Sequence, residues 1–191
     1  MGQKIRRIVT GHNAAGKAVI TINDLAPNAN EIKGWPGLCV TELWTTDEMP
    51  ADNSGTKDRG ARPMRHDPTP RGSIFRVVEF PPESSTKVID ARAAFEHLGS
   101  HNKPRAEDSA KHPSMHKTNS IDYLIVISGE MWMVMEEGEV LLRQGDCIVQ
   151  RGTNHAWVNK SGRPCLLAAI LIDANPAPSK SEPTRESSIS H

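Results

Sequence analysis

Residues His112–Asn159 read HPSMHKTNSIDYLIVISGEMWMVMEEGEVLLRQGDCIVQRGTNHAWVN. In an extended chain successive side chains point to opposite sides, so steps of two put His112, Ser114, His116, Thr118, Ser120 and Asp122 on one face. Such a polar face is unusual for a core strand. The tracts VISGE and RQGD then set a glycine beside an acid between apolar runs, as tight turns of an antiparallel meander do. His155 opens a further alternating run, with Trp157 and Asn159 on its side. Imidazoles from two separate strands and a carboxylate, facing one interior, are the usual donors for a divalent metal with open positions.

The spacing of these residues resembles the cupin superfamily. The first cupin motif runs His-x-His, three or four residues, Glu, six residues, Gly. His116-Lys117-Thr118, three residues, Asp122, six residues and Gly129 follow that frame, with Thr118 in place of the second histidine and Asp122 in place of glutamate. The second motif runs Gly, five residues, Pro-x-Gly-x-x-His-x-x-x-Asn. Gly145, Gln150, Gly152, His155 and Asn159 follow it with one residue fewer after the first glycine and glutamine for proline. The resemblance covers roughly residues 110 to 173 and is carried by spacing, since no single element is specific. QRGTNHAW is typical of small single-domain cupins.

The resemblance implies an all-β fold, a single antiparallel β-barrel of the jelly-roll type, and a homodimer. It implies a metal bound by His116, Asp122 and His155, with His112 as a substitute ligand and Thr118 hydrogen-bonding a bound water or substrate. Aspartate is one methylene shorter than glutamate, so Asp122 reaches the metal directly or through a water. Two imidazoles and a carboxylate suit Fe(II), Mn(II), Ni(II) or Zn(II).

Working outward, the barrel is expected over residues 73–173, with strands of residues 1–50 packed on it or on a partner subunit, a loop over 51–72 and a flexible tail over 174–191. KIRRIV and KAVITI are short strands around the turn GHNAAG, and GLCVTELWTT is another. The loop is rich in Pro, Gly and charge, and its His66 reads as a solvated residue. SIFRVVEF puts Arg76, Val78 and Phe80 on one side and Phe75, Val77 and Glu79 on the other, so one charged residue faces the barrel interior. Arg76 would bind a substrate carboxylate there; Glu79 would serve as acid–base, as would His112 and, less directly, Glu42. Both charges at the surface is the alternative. IDARAAFEHL, stopped by Gly99, is a short helix. Met131, Met133 and Met135 share one side of their strand, as ordinary core or the greasy wall of a pocket, where Met133 would join Trp157 against the substrate.

Bulk properties bound the partners. Lys+Arg and Asp+Glu both total 23 and aromatics are 4%, which argues against nucleic-acid and anionic-membrane partners. Cys39, Cys147 and Cys165 lie in apolar runs without metal spacing and read as buried thiols in a reducing compartment. No apolar run at the N-terminus is long enough for a signal peptide or a span, and Arg6 stands where a myristoylation signal wants Ser or Thr, so a soluble, cytoplasmic protein is expected.

Two function classes stand. One is a metal-dependent enzyme on a small keto or phenolic acid. There, non-redox proton transfer such as decarboxylation, isomerisation or dehydration, with His112 shuttling protons, comes ahead of an Fe(II)-dependent dioxygenase. The other is a non-catalytic module that binds a small molecule.

Overall fold

The structure is a computed structural model that describes residues 2–86, 88–105, 107 and 109–177. Of the tail expected to be flexible, 178–191 lie outside the described residues. Alternating sequence produces strands β1 (Arg6–His12), β2 (Ala18–Leu25), β3 (Asn28–Glu31), β4 (Cys39–Thr46) and β5 (Ser73–Phe80). Helix α1 (Ala91–His97) follows, then β6 (Ser120–Ser128), β7 (Glu130–Met135), β8 (Glu139–Arg143), β9 (Cys147–Gln150), β10 (His155–Val158) and β11 (Cys165–Asp173). The Asp90 carboxylate caps α1 by accepting from the Ala93 amide at 3.0 Å.

All strand pairs are antiparallel. They form a six-stranded sheet in the order β3-β4-β5-β11-β6-β9 and a three-stranded sheet in the order β10-β7-β8, while among the described residues β1 and β2 pair only with each other. One core cluster takes Ile74, Leu124, Val126 and Leu167 from the large sheet and Met131, Met133, Leu142 and Trp157 from the small one. The sheets therefore face each other and enclose that core, which is the all-β, jelly-roll barrel expected. A second cluster, Met115, Val134, Ala156 and Val158, fills the other side of the small sheet, so β10 is buried on both faces.

Two elements lie otherwise than the sequence suggests. β3 and β4, from the stretch read as packed on the barrel or a partner, hydrogen-bond into the large sheet beside β5. Of the cysteines expected to be buried, Cys39 and Cys165 are, but Cys147 is exposed.

Residues 47–72 hold no strand or helix, yet side chains pin them to the barrel at several points. Arg7 pairs with Asp58, Thr45 Oγ1 donates to the Arg59 carbonyl at 3.1 Å, and Asn28 Nδ2 donates to the Arg62 carbonyl at 2.7 Å. Arg76 Nη2 donates to the Arg65 carbonyl at 2.5 Å. This places His66 over the barrel's interior instead of in solvent.

Candidate metal and substrate site

The interior opens into a cavity of about 100 Å³. The period of two decides which side chains reach it. On β5, Arg76, Val78 and Phe80 line it; on β6, Asp122 and Leu124; on β11, Leu167, Ala169 and Leu171; on β10, His155 and Trp157. Trp35, Leu38, His66, Leu98, Ser114, His116 and Thr118 complete the wall from connecting segments. Most of this wall is apolar, with polar groups gathered around the histidines.

His116 and His155 are joined by an isolated backbone bridge, each amide donating to the other's carbonyl at 3.0 Å, which sets their ring centroids 4.5 Å apart. The Nδ1 of His116 lies 2.9 Å from the Ser114 carbonyl and that of His155 2.8 Å from the Thr153 carbonyl. The His155 Nδ1 also lies 2.9 Å from the Gln150 side-chain nitrogen, a donor, so that ring can take either tautomer. A carbonyl only accepts, so in His116 Nδ1 carries the proton and Nε2 is left as the lone-pair nitrogen. This fixed tautomer is how proteins orient imidazole ligands. Gly152 makes the close approach of the two segments: its φ is +62°, and a Cβ there would meet the Thr118 carbonyl oxygen at 2.7 Å.

Burial supplies the charge state. It holds His116 well below the ordinary imidazole value, with His155 and His66 pushing the same way, and it takes His155 down to about 4. Both rings are thus neutral, the ligating form. Burial raises the Asp122 carboxyl, with the nearby Ser120 hydroxyl working against that. Thr118 Oγ1 is buried with no hydrogen-bond partner among the described residues, and such a hydroxyl at a cavity wall calls for a polar guest. These donors suit a borderline divalent ion. Among the described residues, no three histidine, cysteine or acidic side chains already stand as a closed metal cage.

Of the residues singled out from sequence, His116, Thr118, Asp122, His155, Trp157 and Arg76 line the one cavity. His112 does not. Its Nδ1 accepts from the Ser114 amide at 3.2 Å, and its Nε2 faces Glu83 Oε1 at 3.4 Å, in a cleft against Trp35, Phe80 and Trp157. Pro113 and Ser114 form a turn, closed by the Met115 amide on the His112 carbonyl at 3.1 Å, so stepping by two fails upstream of His116. Glu79 is on the opposite face of β5 from the cavity, beside Cys39 and Val77, where its carboxylate accepts from the Gln3 amide at 2.5 Å. Met133 sits in the core, paired across the sheet with Trp157, and is not part of the cavity wall.

Arg76 is buried, but its guanidinium is already engaged. Nη2 donates to Glu42 Oε1 at 2.9 Å and to the Arg65 and His66 carbonyls, and Glu42, 0% exposed, also pairs with Arg62 at 2.9 Å. The residue that sequence reasoning left aside is His66, which lines the cavity with its ring centroid 5.6 Å from that of His116. No periodicity marks it; only the pinning of its loop brings it in.

The buried imidazoles give a pH dependence of definite sign. In the unfolded chain both would take a proton below the ordinary value of about 6.5, whereas folded His155 takes none until about 4. The unfolded state therefore binds more protons in this window, and stability, fully present above it, falls as the pH drops. Each ring contributes a slope of up to about 1.4 kcal/mol per pH unit. Asp122, raised by burial, runs the opposite way and offsets part of the loss at the acid end. The urea midpoint is expected to fall between pH 6.5 and pH 4, and less steeply in the double variant His116→Gln/His155→Gln; an equal slope in that variant counts against the assignment.

No family model matches the chain. A cupin-domain-containing oxidoreductase of Hypocrea virens is 30% identical over 176 residues, covering 89% of this chain and 76% of the relative. A phomopsin biosynthesis cluster protein of Diaporthe leptostromiformis is 33% identical over 177 residues, covering 89% and 79%. Among solved structures, a cupin 2 conserved barrel domain protein from Salinispora arenicola is similar at a TM-score of 0.39 and 12% identity, over 75% of this chain and 82% of that one.

Proposed function

Because this chain belongs to the cupin superfamily, we propose that it is a metal-dependent cupin enzyme that oxidises a small organic acid or ketone with an apolar body. The observation that carries the metal is the pair of buried, neutral imidazoles, His116 and His155, side by side at the wall of an apolar cavity, with the His116 Nδ1 fixed by the Ser114 carbonyl. Support for redox chemistry comes from the oxidoreductase relative in Hypocrea virens. The competing non-redox reading relied on His112 as proton carrier, and His112 is turned towards Glu83.

A divalent ion, when bound, supplies electron exchange or stabilises charge on an oxygen. His116 and His155 would hold it through Nε2, with Asp122 as the adjoining carboxylate. Trp35, Phe80 and Trp157 pack the apolar part of the substrate and exclude water. The Thr118 hydroxyl offers a hydrogen bond to its polar end. Arg76, committed to Glu42 and the loop carbonyls, shapes the site without serving as a free cation for a carboxylate.

The test is chelator-stripped protein reloaded with Fe(II), Mn(II), Ni(II) or Zn(II) and assayed with and without oxygen on β-keto and phenolic acids. Turnover confined to Fe(II) with oxygen is the expected result. Turnover with Zn(II) under nitrogen would establish decarboxylation, isomerisation or dehydration instead, and binding without turnover by any metal would make this a binding module.

The same reading extends to assembly as a homodimer in a reducing cytoplasm. The β1–β2 hairpin leaves Ile8 52%, Ile20 60% and Leu25 46% exposed, and a lone two-stranded hairpin is marginal in water. A second copy covering it accounts for both facts. Light scattering should give about twice 21.0 kDa, reduced towards the single-chain mass by Ile8→Ser with Ile20→Ser. A monomer in the unmodified protein at micromolar concentration would overturn the dimer. No helix among the described residues is long and apolar enough to cross a membrane.

A further inference from the structure

The motif position that should deliver a second imidazole holds Thr118, whose buried hydroxyl has no partner among the described residues. Another imidazole approaches the same cavity from the 47–72 loop. The His66 ring packs edge-on to His116 at 5.6 Å between centroids and against buried Phe95 at 5.3 Å. We propose that His66 is the third imidazole of the metal site, a loop residue that takes over the duty Thr118 cannot perform. The inference rests on the metal reading of the previous subsection.

The hydrogen bonding around His66 is that of a positioned ligand. Its Nδ1 lies 2.8 Å from Asp67 Oδ1 and 3.1 Å from Ser100 Oγ. A carboxylate only accepts, so Nδ1 carries the proton and Nε2 the lone pair, the same tautomer as in His116. Asp67 is itself fixed, because its Oδ2 accepts from the His101 amide at 2.9 Å. The backbone is held from beneath, the Arg65 and His66 carbonyls accepting from Arg76 at 2.5 and 3.3 Å.

A solvated loop histidine would need none of this. Only 12% of the His66 side chain is exposed. It lines the same cavity as His116, His155 and Asp122, so all four groups surround one space. The lining side chains are not yet a closed cage.

The test uses Co(II) on the full, chelator-stripped chain, read by ligand-field absorption and by titration calorimetry, with no substrate needed. The unmodified protein should bind one Co(II) per chain. His66→Ala and the size-conserving His66→Gln should each weaken binding by about tenfold or more and change the absorption band, since losing a ligand costs at least as much as losing a ligand's support. Asp67→Asn should weaken it less. Adding Thr118→His to His66→Ala should restore affinity by returning an imidazole to the cavity wall. Unchanged affinity and spectrum in both His66 variants, with Co(II) bound by the unmodified chain, would overturn this inference and leave the metal reading intact. No Co(II) in the unmodified chain would overturn both.

Discussion

Glu42→Gln is expected to destabilise the protein by about 3–5 kcal/mol, the range for removing one partner of a buried ion pair. Glu42 is 0% exposed and its two carboxylate oxygens meet Arg76 and Arg62, each at 2.9 Å. Arg76 is itself 3% exposed, and burial depresses the pKa of its guanidinium, as it does for Arg62. The amide keeps the shape and removes the charge, leaving the Arg76 cation in the barrel interior without its directly bonded carboxylate. Arg62, at 17% side-chain exposure, can turn towards water; Arg76 cannot. Urea unfolding measures the loss. Glu42→Leu combined with Arg76→Met removes both charges and should recover most of it, since apolar replacement of a buried pair is often near neutral. A loss under about 1 kcal/mol for Glu42→Gln would show that the pair is hydrated.

His116→Ala with His155→Ala is expected to abolish metal binding outright, from stoichiometric to undetectable by elemental analysis. Each ring offers one lone-pair nitrogen, and without both no borderline divalent ion has two nitrogen donors on these strands. The fold should survive, because the bridge between the two residues is made by backbone atoms. It should also lose much of its acid sensitivity, since two depressed imidazoles are gone. Stoichiometric metal retained in this double variant would place the site elsewhere.

The fold was legible because antiparallel strands and tight turns leave a local record. The run from Ile121 to Asp173 alternates and turns where β6 to β11 begin and end, and the paired glycines sit at positive φ, +79° at Gly129 and +93° at Gly145. The site was legible wherever a residue lies on a strand of known face, as His155, Trp157 and Asp122 do. It was not legible where a turn intervenes. Pro113 cannot donate to a ladder, and the turn it starts carries His112 to Glu83 instead of the cavity. Period two could say that Arg76 and Glu79 face opposite ways but not which way is inward; burial of Glu42 across from Arg76 decides it. His66, Trp35 and Leu38 reach the cavity by tertiary paths, for which sequence spacing holds no signal.

The one exposed thiol among the described residues is a usable handle. Cys147 pairs with Ile125, which is 42% exposed, so the sulfur sits on the outer face of the large sheet. Burial raises the pKa of the other two thiols, Cys165 to about 12, and keeps them out of reach. A maleimide dye added at neutral pH therefore attaches at a single known point, without mutagenesis. Energy transfer from Trp44, which is paired across the sheet with Phe75, and from the interior tryptophans then reports when the barrel opens, and a second copy seated on this face would slow the labelling itself.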